Sequence, residues 1–308
     1  MTADEPQAVP ALIEALRERR GRRVLFLHSP LTDDIVPILY DCLKRAGRGD
    51  ELDLVLSTVG GSIPTTRQLA MLLREFTGRL SILVPYRARS AGTLLCLSAD
   101  ELVLGPLAEL GPIDSIMGSQ GAPAPDTPGS ISAEDIRAFR SMAEDWFQVE
   151  RPEDRLQVLA LLAARIFPTS LSSFYRFDKL VREVAAELLR FQLAGEEHHA
   201  TRQAIVEQLV TGYHSHDAVL SRRDVKALGL RAVDASPAEE DLLWSLSRAV
   251  HRSSGQDDPE PAEQLIGVIA TAGFTARQLV RRGYPGRSEA HLPGPSPVSV
   301  RVEWEITG

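Results

Sequence analysis

The first third of the chain alternates between short apolar runs and amphipathic segments. The runs "RRVLFLHSP", "ELDLVLSTV", "RLSILVPY" and "ELVLG" have the composition of strands buried on both faces. The segments between them, "LTDDIVPILYDCLKRAG", "PTTRQLAMLLREFTG" and "SAGTLLCLSA", have helical periodicity, and Gly47 and Gly78 lie just past two of the helix ends. This alternation predicts an α/β fold with a mostly parallel sheet covered by helices.

The pattern changes after the fourth predicted strand. The stretch Gly118–Ser130, "GSQGAPAPDTPGS", is rich in Gly and Pro and predicts an exposed, mobile loop. From Ile131 to about Leu209 the periodicity is helical almost throughout. The stretch "YHSHDAVLSRRDVKALGLRAVD" then predicts a loop, a short helix from Ser221 and a short strand.

The end of the chain carries both helical and strand-like patterns. A helix is predicted near Glu239–His251, and the polar stretch "SSGQDDPEPAE" follows it as a linker. We expect the last segment to hold one more helix and a strand-like tail, "SVRVEWEIT". These boundaries predict an N-terminal segment at 1–21, a main domain at 22–235 and a C-terminal extension at 236–308.

Composition excludes several classes of protein. The chain has 308 residues, is 44% hydrophobic and carries a formal net charge of −8, and this acidic balance argues against nucleic acid as the main partner. The two cysteines, Cys42 and Cys96, lie in apolar periodic segments typical of a core in a reducing compartment, and no zinc-type spacing is present. The N-terminus lacks the apolar region of a signal peptide, and the longest apolar runs are shorter than the roughly 18–20 residues that span a bilayer. We therefore expect a soluble, cytoplasmic protein.

One serine lies at a predicted turn between a strand and a helix. In "VPYRARSAGTLLC", Ser90 lies between a predicted strand and a predicted buried helix. The first amides of a helix lack intrahelical acceptors and carry the positive end of its dipole, so Ala91 offers an amide beside that hydroxyl. The plain alternative is that Ser90 caps the helix, since serine is a favoured N-cap.

A second turn favours a catalytic role for Ser90 over a capping role. Gly60 and Gly61 follow the strand "LDLVLSTV", and the carboxyl ends of parallel strands meet at one edge of a sheet, where ligands bind in open α/β folds. One glycine amide together with that of Ala91 would form a two-donor oxyanion hole. The two turns together predict that Ser90 is a nucleophile.

These residues carry a family resemblance. The segments "STVGGSIPTTRQLAMLL", "VPYRARSAGTLLCLSADELVLGPLAELGPID" and "YHSHDAVLSRRDVKALGL" resemble the serine dehydrogenase proteinase family, relatives of the Clp protease and signal peptide peptidase A within the Clp/crotonase superfamily. The resemblance covers about Arg22 to Asp234. It implies a repeated ββα spiral with a mostly parallel sheet, followed by a helical region, and a homo-oligomeric serine peptidase that acts on peptides or unfolded protein without metal or nucleotide.

The resemblance also implies a Ser, Asp, His triad in that chain order. Ser90 is then the nucleophile, Asp114 of "LGPID" the orienting carboxylate and His216 of "YHSHD" the general base, with Gly61 and Ala91 as oxyanion donors. Several alternatives stay open: His214 or Lys179 as the base, and Asp217, Asp178 or Asp234 as the orienting carboxylate. Lys179 is included because signal peptide peptidase relatives use a Ser–Lys dyad.

The sequence departs from the family in three places. It lacks the N-terminal membrane helix of many members, it reads "GPIDSI" where they often read "GPIDPQ", and its last segment after about Ser253 matches no pattern of the family. Two other functions compete with peptidase activity. One is a non-catalytic scaffold that binds peptides or partner proteins, and the other is an acyl-CoA enzyme of the crotonase branch, which usually has no nucleophilic serine at this turn.

Overall fold

The structure is a computed structural model that describes residues 8–113, 116–117, 131–149, 151–251, 262–283 and 299–307. Helices alternate with strands through the first part of the chain, as the hydrophobic pattern predicts. The helices are α1 Val9–Arg20, α2 Ile35–Ala46, α3 Ile63–Phe76, α4 Ala91–Cys96, α5 Ala133–Asp145, α6 Pro152–Arg165, α7 Pro168–Leu189, α8 His199–Thr211, α9 Arg222–Ala227 and α10 Pro237–His251. The strands are β1 Arg23–His28, β2 Gly49–Ser57, β3 Thr77–Val84, β4 Arg87–Ala88, β5 Glu101–Leu104, β6 Glu109–Leu110, β7 Ile116–Met117, β8 Ile131–Ser132, β9 Leu220–Ser221, β10 Ala232–Asp234, β11 Glu263–Thr271, β12 Phe274–Gly283 and β13 Ser299–Thr307.

An eight-stranded sheet in the order β10-β5-β3-β2-β1-β11-β12-β13 forms the centre of the molecule. The five strands from β10 to β1 are parallel, and β11, β12 and β13 continue the sheet in antiparallel pairs. The predicted mixed α/β fold with a mostly parallel sheet is confirmed. Because the strands from β5 to β1 are parallel, their carboxyl ends meet at one edge.

Both faces of the parallel part of the sheet are covered, which explains why its strands are apolar in both alternating positions. Leu25 and Leu27 of β1 face a core shared with α2, α3, α4 and α7, whereas Val24 and Phe26 face α1 and α10. Side chains of successive strand residues point to opposite faces, so an unbroken apolar run is needed to fill two cores. The two-sided burial holds the carboxyl edge of the sheet in a fixed position.

A buried ion pair lies on the face of the sheet that packs against α1 and α10. The Asp53 side chain on β2 is fully buried and accepts hydrogen bonds from Arg20, whose guanidinium also reaches Glu239 of α10 at 2.6 Å. A charge taken out of water needs such partners, because an unpaired buried carboxylate is costly. The contact therefore links α1, β2 and α10.

The expected helix in the last segment is wrong for the described residues. The stretch 263–283 forms a hairpin of β11 and β12, in which Thr271 pairs with Phe274 and Gly273 has φ +85°. The β-branched residues of "LIGVIAT" favour a strand, and their short apolar run cannot be told from a buried helix by periodicity alone. Since β11 pairs with β1, this part of the chain enlarges the main sheet.

Two further sequence expectations concern loops and membrane spans. The predicted loop Gly118–Ser130 lies outside the described residues. In the part of the chain that is described, no single helix is long and apolar enough to cross a membrane, and α6 and α7 reach that length and composition only as a pair bent by 102°.

Candidate active site

Ser90 occupies a strained turn between β4 and α4. Its backbone has φ 52° and ψ −119°, and apart from Gln148 it is the only non-glycine residue with positive φ in the described part of the chain. Such a conformation costs about 1–3 kcal/mol and persists only where surrounding structure enforces it. The Ser90 side chain makes no capping hydrogen bond to α4. The N-cap interpretation therefore does not account for this serine.

The Gly-Gly turn lies directly against that strained turn. A Cβ built on Gly60 would be 2.9 Å from the Arg89 carbonyl oxygen and 2.9 Å from Ser90 Cβ, closer than real side chains approach. Gly60 also has φ +108°, a conformation that favours glycine. Only an unsubstituted backbone fits between the end of β2 and the serine.

Two amides at this junction are available to a ligand. The Gly60 N–H donates to Thr58 Oγ1 at 3.1 Å, whereas the N–H groups of Gly61 and Ala91 donate to no acceptor among the described residues. These are the two amides that the family resemblance assigns to the oxyanion hole. Gly61 is exposed, and Ala91 begins α4, where an N–H has no intrahelical acceptor, so both amides can donate to a ligand.

A three-stranded sheet brings the predicted catalytic segments together. In the order β4-β6-β9, it joins the strand just before Ser90, the strand before the Asp114 segment and the strand just after the His216 loop. Thr93 of α4 reinforces the junction, because its hydroxyl donates to the Ala88 carbonyl and accepts from the Gly111 amide, both at 2.9 Å. Segments far apart in the sequence thus converge beside α4.

The predicted base lies on the loop that enters β9. His216 is half-buried and His214 is exposed. Two residues after His216, the Ala218 carbonyl oxygen lies 3.5 Å from a Cβ built on Gly111, and that same point is 3.6 Å from Arg89 Cβ. The loop therefore packs against the segment that leads into Asp114, and Asp114 itself lies outside the described residues.

The alternative base is placed unfavourably. Lys179 is exposed on α7, with Nζ 4.9 Å from the centre of the Tyr175 ring. Hydrogen bonding to the Tyr175 hydroxyl raises the pKa of Lys179 above its ordinary value. A lysine that acts as a general base must be neutral, which requires the opposite shift.

Two of the alternative orienting carboxylates have other partners. Asp178 accepts from Arg137 at 2.7 Å and from Arg182 at 2.9 Å. Asp234 is bonded to Lys226 at 2.7 Å, and this bond lowers the pKa of the Asp234 carboxyl. The third alternative, Asp217, is exposed on the His216 loop.

A histidine and a buried serine lie at the same edge of the sheet. His28, at the end of β1, has Nδ1 3.0 Å from Ser57 Oγ at the end of β2, and its ring is 5.3 Å from the ring of His251 in α10. Burial, and secondarily the charge of His251, lower the pKa of His28 to about 3. No local pattern in the sequence reveals the contact between His28 and His251, because these two residues are far apart along the chain.

Charges beside the nucleophile come from arginines. Arg89 donates to Glu109 at 2.8 Å, and the Arg87 guanidinium lies 3.3 Å from the same carboxylate. Two guanidinium groups share one carboxylate, so this side of the site is cationic. No group of three or more His, Cys, Asp or Glu side chains suited to a metal ion occurs among the described residues.

Comparisons with known proteins match part of this chain to a protein family. The model of the family described as ClpP-like SDH-type serine proteinase matches residues 33–128, which include Gly61, Ser90 and Asp114 but not His216. The uncharacterized protein MJ0137 of Methanocaldococcus jannaschii is 26% identical over 229 residues, covering 73% of this chain and 69% of its own. The uncharacterized protein MJ1495 of the same organism is 24% identical over 234 residues, covering 71% and 69%. The resemblance to the serine dehydrogenase proteinase family is thus confirmed over the segment that carries the Gly-Gly turn and the Ser90 turn.

Proposed function

We propose that this protein is a serine peptidase that cleaves peptides or unfolded protein segments through an acyl-enzyme intermediate. One observation carries the proposal: Ser90 is held at φ 52° directly against Gly60, beside two amides that have no acceptor among the described residues. A serine on a strained strand-to-helix turn is the arrangement that exposes a nucleophile in other hydrolases. Strain at such a position is informative because it has a cost and no capping role offsets it.

The roles of the groups follow from their chemistry. Ser90 Oγ forms a bond to the scissile carbonyl carbon while its proton passes to His216, and the amides of Gly61 and Ala91 donate to the resulting oxyanion. The C–N bond then breaks, and the leaving amine takes the proton from His216. Water, deprotonated by His216, attacks the acyl ester, and Ser90 recovers its proton. Asp114 holds the imidazole in the tautomer that accepts at the nitrogen facing Ser90.

Assembly and location belong to the same proposal. The second half of α6 and the turn after it, from Leu156 to Phe167, contain only two polar residues, Gln157 and Arg165. Leu156, Leu161 and Phe167 are 67%, 64% and 79% exposed. A helix that is apolar on all sides is normally covered, so we propose a cytoplasmic homo-oligomer in which α6 contacts another copy. The domain division at 22–235 and 236–308 stays a prediction.

A fluorophosphonate probe tests the enzymatic part of the proposal. Such probes phosphonylate an activated serine, and we expect mass spectrometry to find the adduct on Ser90. Ser90→Ala should lose both the adduct and peptide hydrolysis. Ser57→Ala is the matched control, because the Ser57 hydroxyl lies 3.0 Å from the His28 imidazole, yet Ser57 is only 1% exposed. Labelling should persist in that variant.

Two results would contradict the proposal. An adduct that persists in Ser90→Ala would show that another residue is the nucleophile. A folded protein that neither reacts with the probe nor hydrolyses unfolded substrates would instead favour the non-catalytic scaffold.

A further inference from the structure

Strand β13 forms one edge of the main sheet among the described residues. It pairs with β12 over nine residues, from Gly283 opposite Ser299 to Thr275 opposite Thr307, without a shift in register. The opposite edge, β10, has only three residues. A long edge strand presents unpaired N–H and C=O groups that can bind another strand, and proteins usually shorten, bend or block such edges. Residues 299–307 contain neither a bulge nor a proline.

The two faces of β13 differ in character. Val300, Val302 and Ile306 are 56%, 55% and 48% exposed on the face where Trp304 donates from Nε1 to Asp34 at 3.0 Å. The other face carries charged residues. Half-exposed valines beside an anchored tryptophan leave an apolar surface uncovered at the edge.

The charges on the other face are unevenly paired. On β12, Arg281 contacts Glu303 at 3.1 Å and also binds Glu305 and Glu263. Arg301 lies directly opposite Arg281 in the register, and no carboxylate in the described part of the chain lies within ion-pair distance of it. Like charges directly opposite on neighbouring strands are unfavourable, so Arg301 needs an acid on its open side.

We propose that β13 pairs antiparallel with β13 of a second copy of this chain, about a twofold axis perpendicular to the sheet and centred on Val302. Pairing about a twofold axis is self-complementary and closes a dimer. In an antiparallel pair, residues directly opposite each other point to the same face of the sheet. The twofold axis must therefore pass between two copies of the same residue, and each choice of that residue gives a different register.

Charge selects one of these registers. An axis through Arg301 places that residue against the partner's Arg301. An axis through Glu303 sets Arg301 against the partner's Glu305 but also places two glutamates together, and one through Trp304 places Glu303 against the partner's Glu305. The axis through Val302 places Arg301 against the partner's Glu303 twice by symmetry, and Val300 against the partner's Trp304. This register gives Arg301 its missing acid and covers the exposed valines.

This interface goes beyond the proposed peptidase activity and does not depend on it. Strand β13 is three positions from β1 in the sheet, and Ser90 lies beyond β1 and β2. Ser90→Ala should therefore leave the dimer intact.

A charge-exchange experiment tests both the interface and its register. In Arg301→Glu, two glutamates face the partner's Glu303 residues, and in Glu303→Arg two arginines face the partner's Arg301. Each variant alone should associate about tenfold or more weakly than wild type, and light scattering should give half the wild-type mass. The two variants mixed should recover the wild-type mass, because every opposed pair is again of opposite sign. Arg48→Glu, at a 69% exposed residue away from this edge, is the matched control and should not change the mass.

A cross-link reads out the register without weakening the interface. Val302→Cys places two thiols opposite each other on the axis and should form a disulfide between copies under mild oxidation. Val300→Cys faces the partner's Trp304 and should not. The native thiols of Cys42 and Cys96 are buried, and burial raises the pKa of both, so they should not react.

The proposal is overturned by any of three results. One is a wild-type chain with monomer mass at tens of micromolar. Another is folded Arg301→Glu with the mass of wild type, which would assign the assembly to another surface. The third is cross-linking of Val300→Cys as efficient as that of Val302→Cys.

Discussion

Gly60 and Ser90 are packed so closely that the glycine cannot carry a side chain: a Cβ on Gly60 would lie 2.9 Å from Ser90 Cβ. This contact joins the end of β2 to the turn before α4. It holds the hydroxyl and the Gly61 amide in a constant relation, because the segments that lead into the two turns are joined by a bridge between Thr58 and Ala88. Preorganised groups of this kind are what acyl-transfer catalysis requires.

The strain at Ser90 predicts an unusual pattern of stability. Both Ser90→Ala and Ser90→Gly should abolish activity, and Ser90→Ala should leave Tm nearly unchanged. Ser90→Gly should be more stable than Ser90→Ala by about 1 kcal/mol, because glycine adopts φ 52° and ψ −119° without steric cost. Denaturant unfolding of the two variants measures the difference. A glycine variant less stable than the alanine variant would mean that the turn is not strained.

The contact of Gly92 with Thr58 predicts a rescue. A Cβ on Gly92 would lie 2.5 Å from Thr58 Cγ2, so Gly92→Ala should lower the free energy of unfolding by about 1–3 kcal/mol. Thr58→Ser removes that methyl group but keeps the hydroxyl that accepts from the Gly60 amide. The double variant should regain most of the loss in a double-mutant cycle. Strictly additive effects would exclude a direct clash.

The identity of the base is tested by paired variants. His216→Ala should lower turnover by roughly three decades or more, as removal of a triad member typically does, and Lys179→Ala should have little effect because Lys179 is exposed. Asp114→Asn should give a folded but slow enzyme through a tautomer defect. Wild-type activity should fall as the pH drops below the ordinary imidazole range, about 6.5.

Two outcomes would redirect that assignment. Near-normal turnover in His216→Ala would move the role to His214, which is tested next by the same substitution. Activity that keeps rising into alkaline pH and is lost in Lys179→Ala would restore the lysine mechanism.

The buried His28 predicts a pH dependence of stability. The pKa of His28 is lowered to about 3 in the folded chain, against about 6.5 in the unfolded chain. Between these two pH values the unfolded state therefore binds a proton on His28 that the native state does not bind. The contribution to stability is complete above pH 6.5. It is lost as the pH falls from 6.5 toward 3, at about 1.4 kcal/mol per pH unit. Denaturant unfolding of wild type and His28→Gln at several pH values should show a shallower slope in the variant, and equal slopes would contradict the prediction.

The apolar surface of α6 predicts a solubility and assembly effect. Leu156→Asp combined with Leu161→Asp should reduce the mass measured by light scattering, because charge replaces two exposed leucines that we expect another copy to cover. Gln157→Glu, a charge added at a polar position of the same helix, is the matched control and should leave the mass unchanged. An unaltered mass in the double variant would show that α6 does not contribute to contacts between copies.

Local patterns were sufficient for the framework of this protein. Unbroken apolar runs identified β1, β2, β3 and β5, because strands covered on both faces need apolar residues at every position. The same patterns located Gly60, Gly61 and Ser90 at turns after parallel strands, and hence at one edge of the sheet. They failed for β11, since a short apolar run such as "LIGVIAT" fits a strand or a buried helix equally well and only pairing with β1 decides between them.

Only the tertiary structure decided the backbone conformation and the contacts of the residues at those turns. The sequence determined that Ser90 precedes a helix, which is equally true of an N-cap and of a nucleophile. In the folded chain Ser90 has φ 52° and ψ −119° and makes no capping hydrogen bond, and this distinguishes the two roles. Likewise the pairing of His28 with Ser57 and its ring contact with His251 depend on β1, β2 and α10 meeting at one point. Periodicity and motifs are properties of neighbouring residues, whereas strain, burial and pKa are set by residues that only the folded chain brings together.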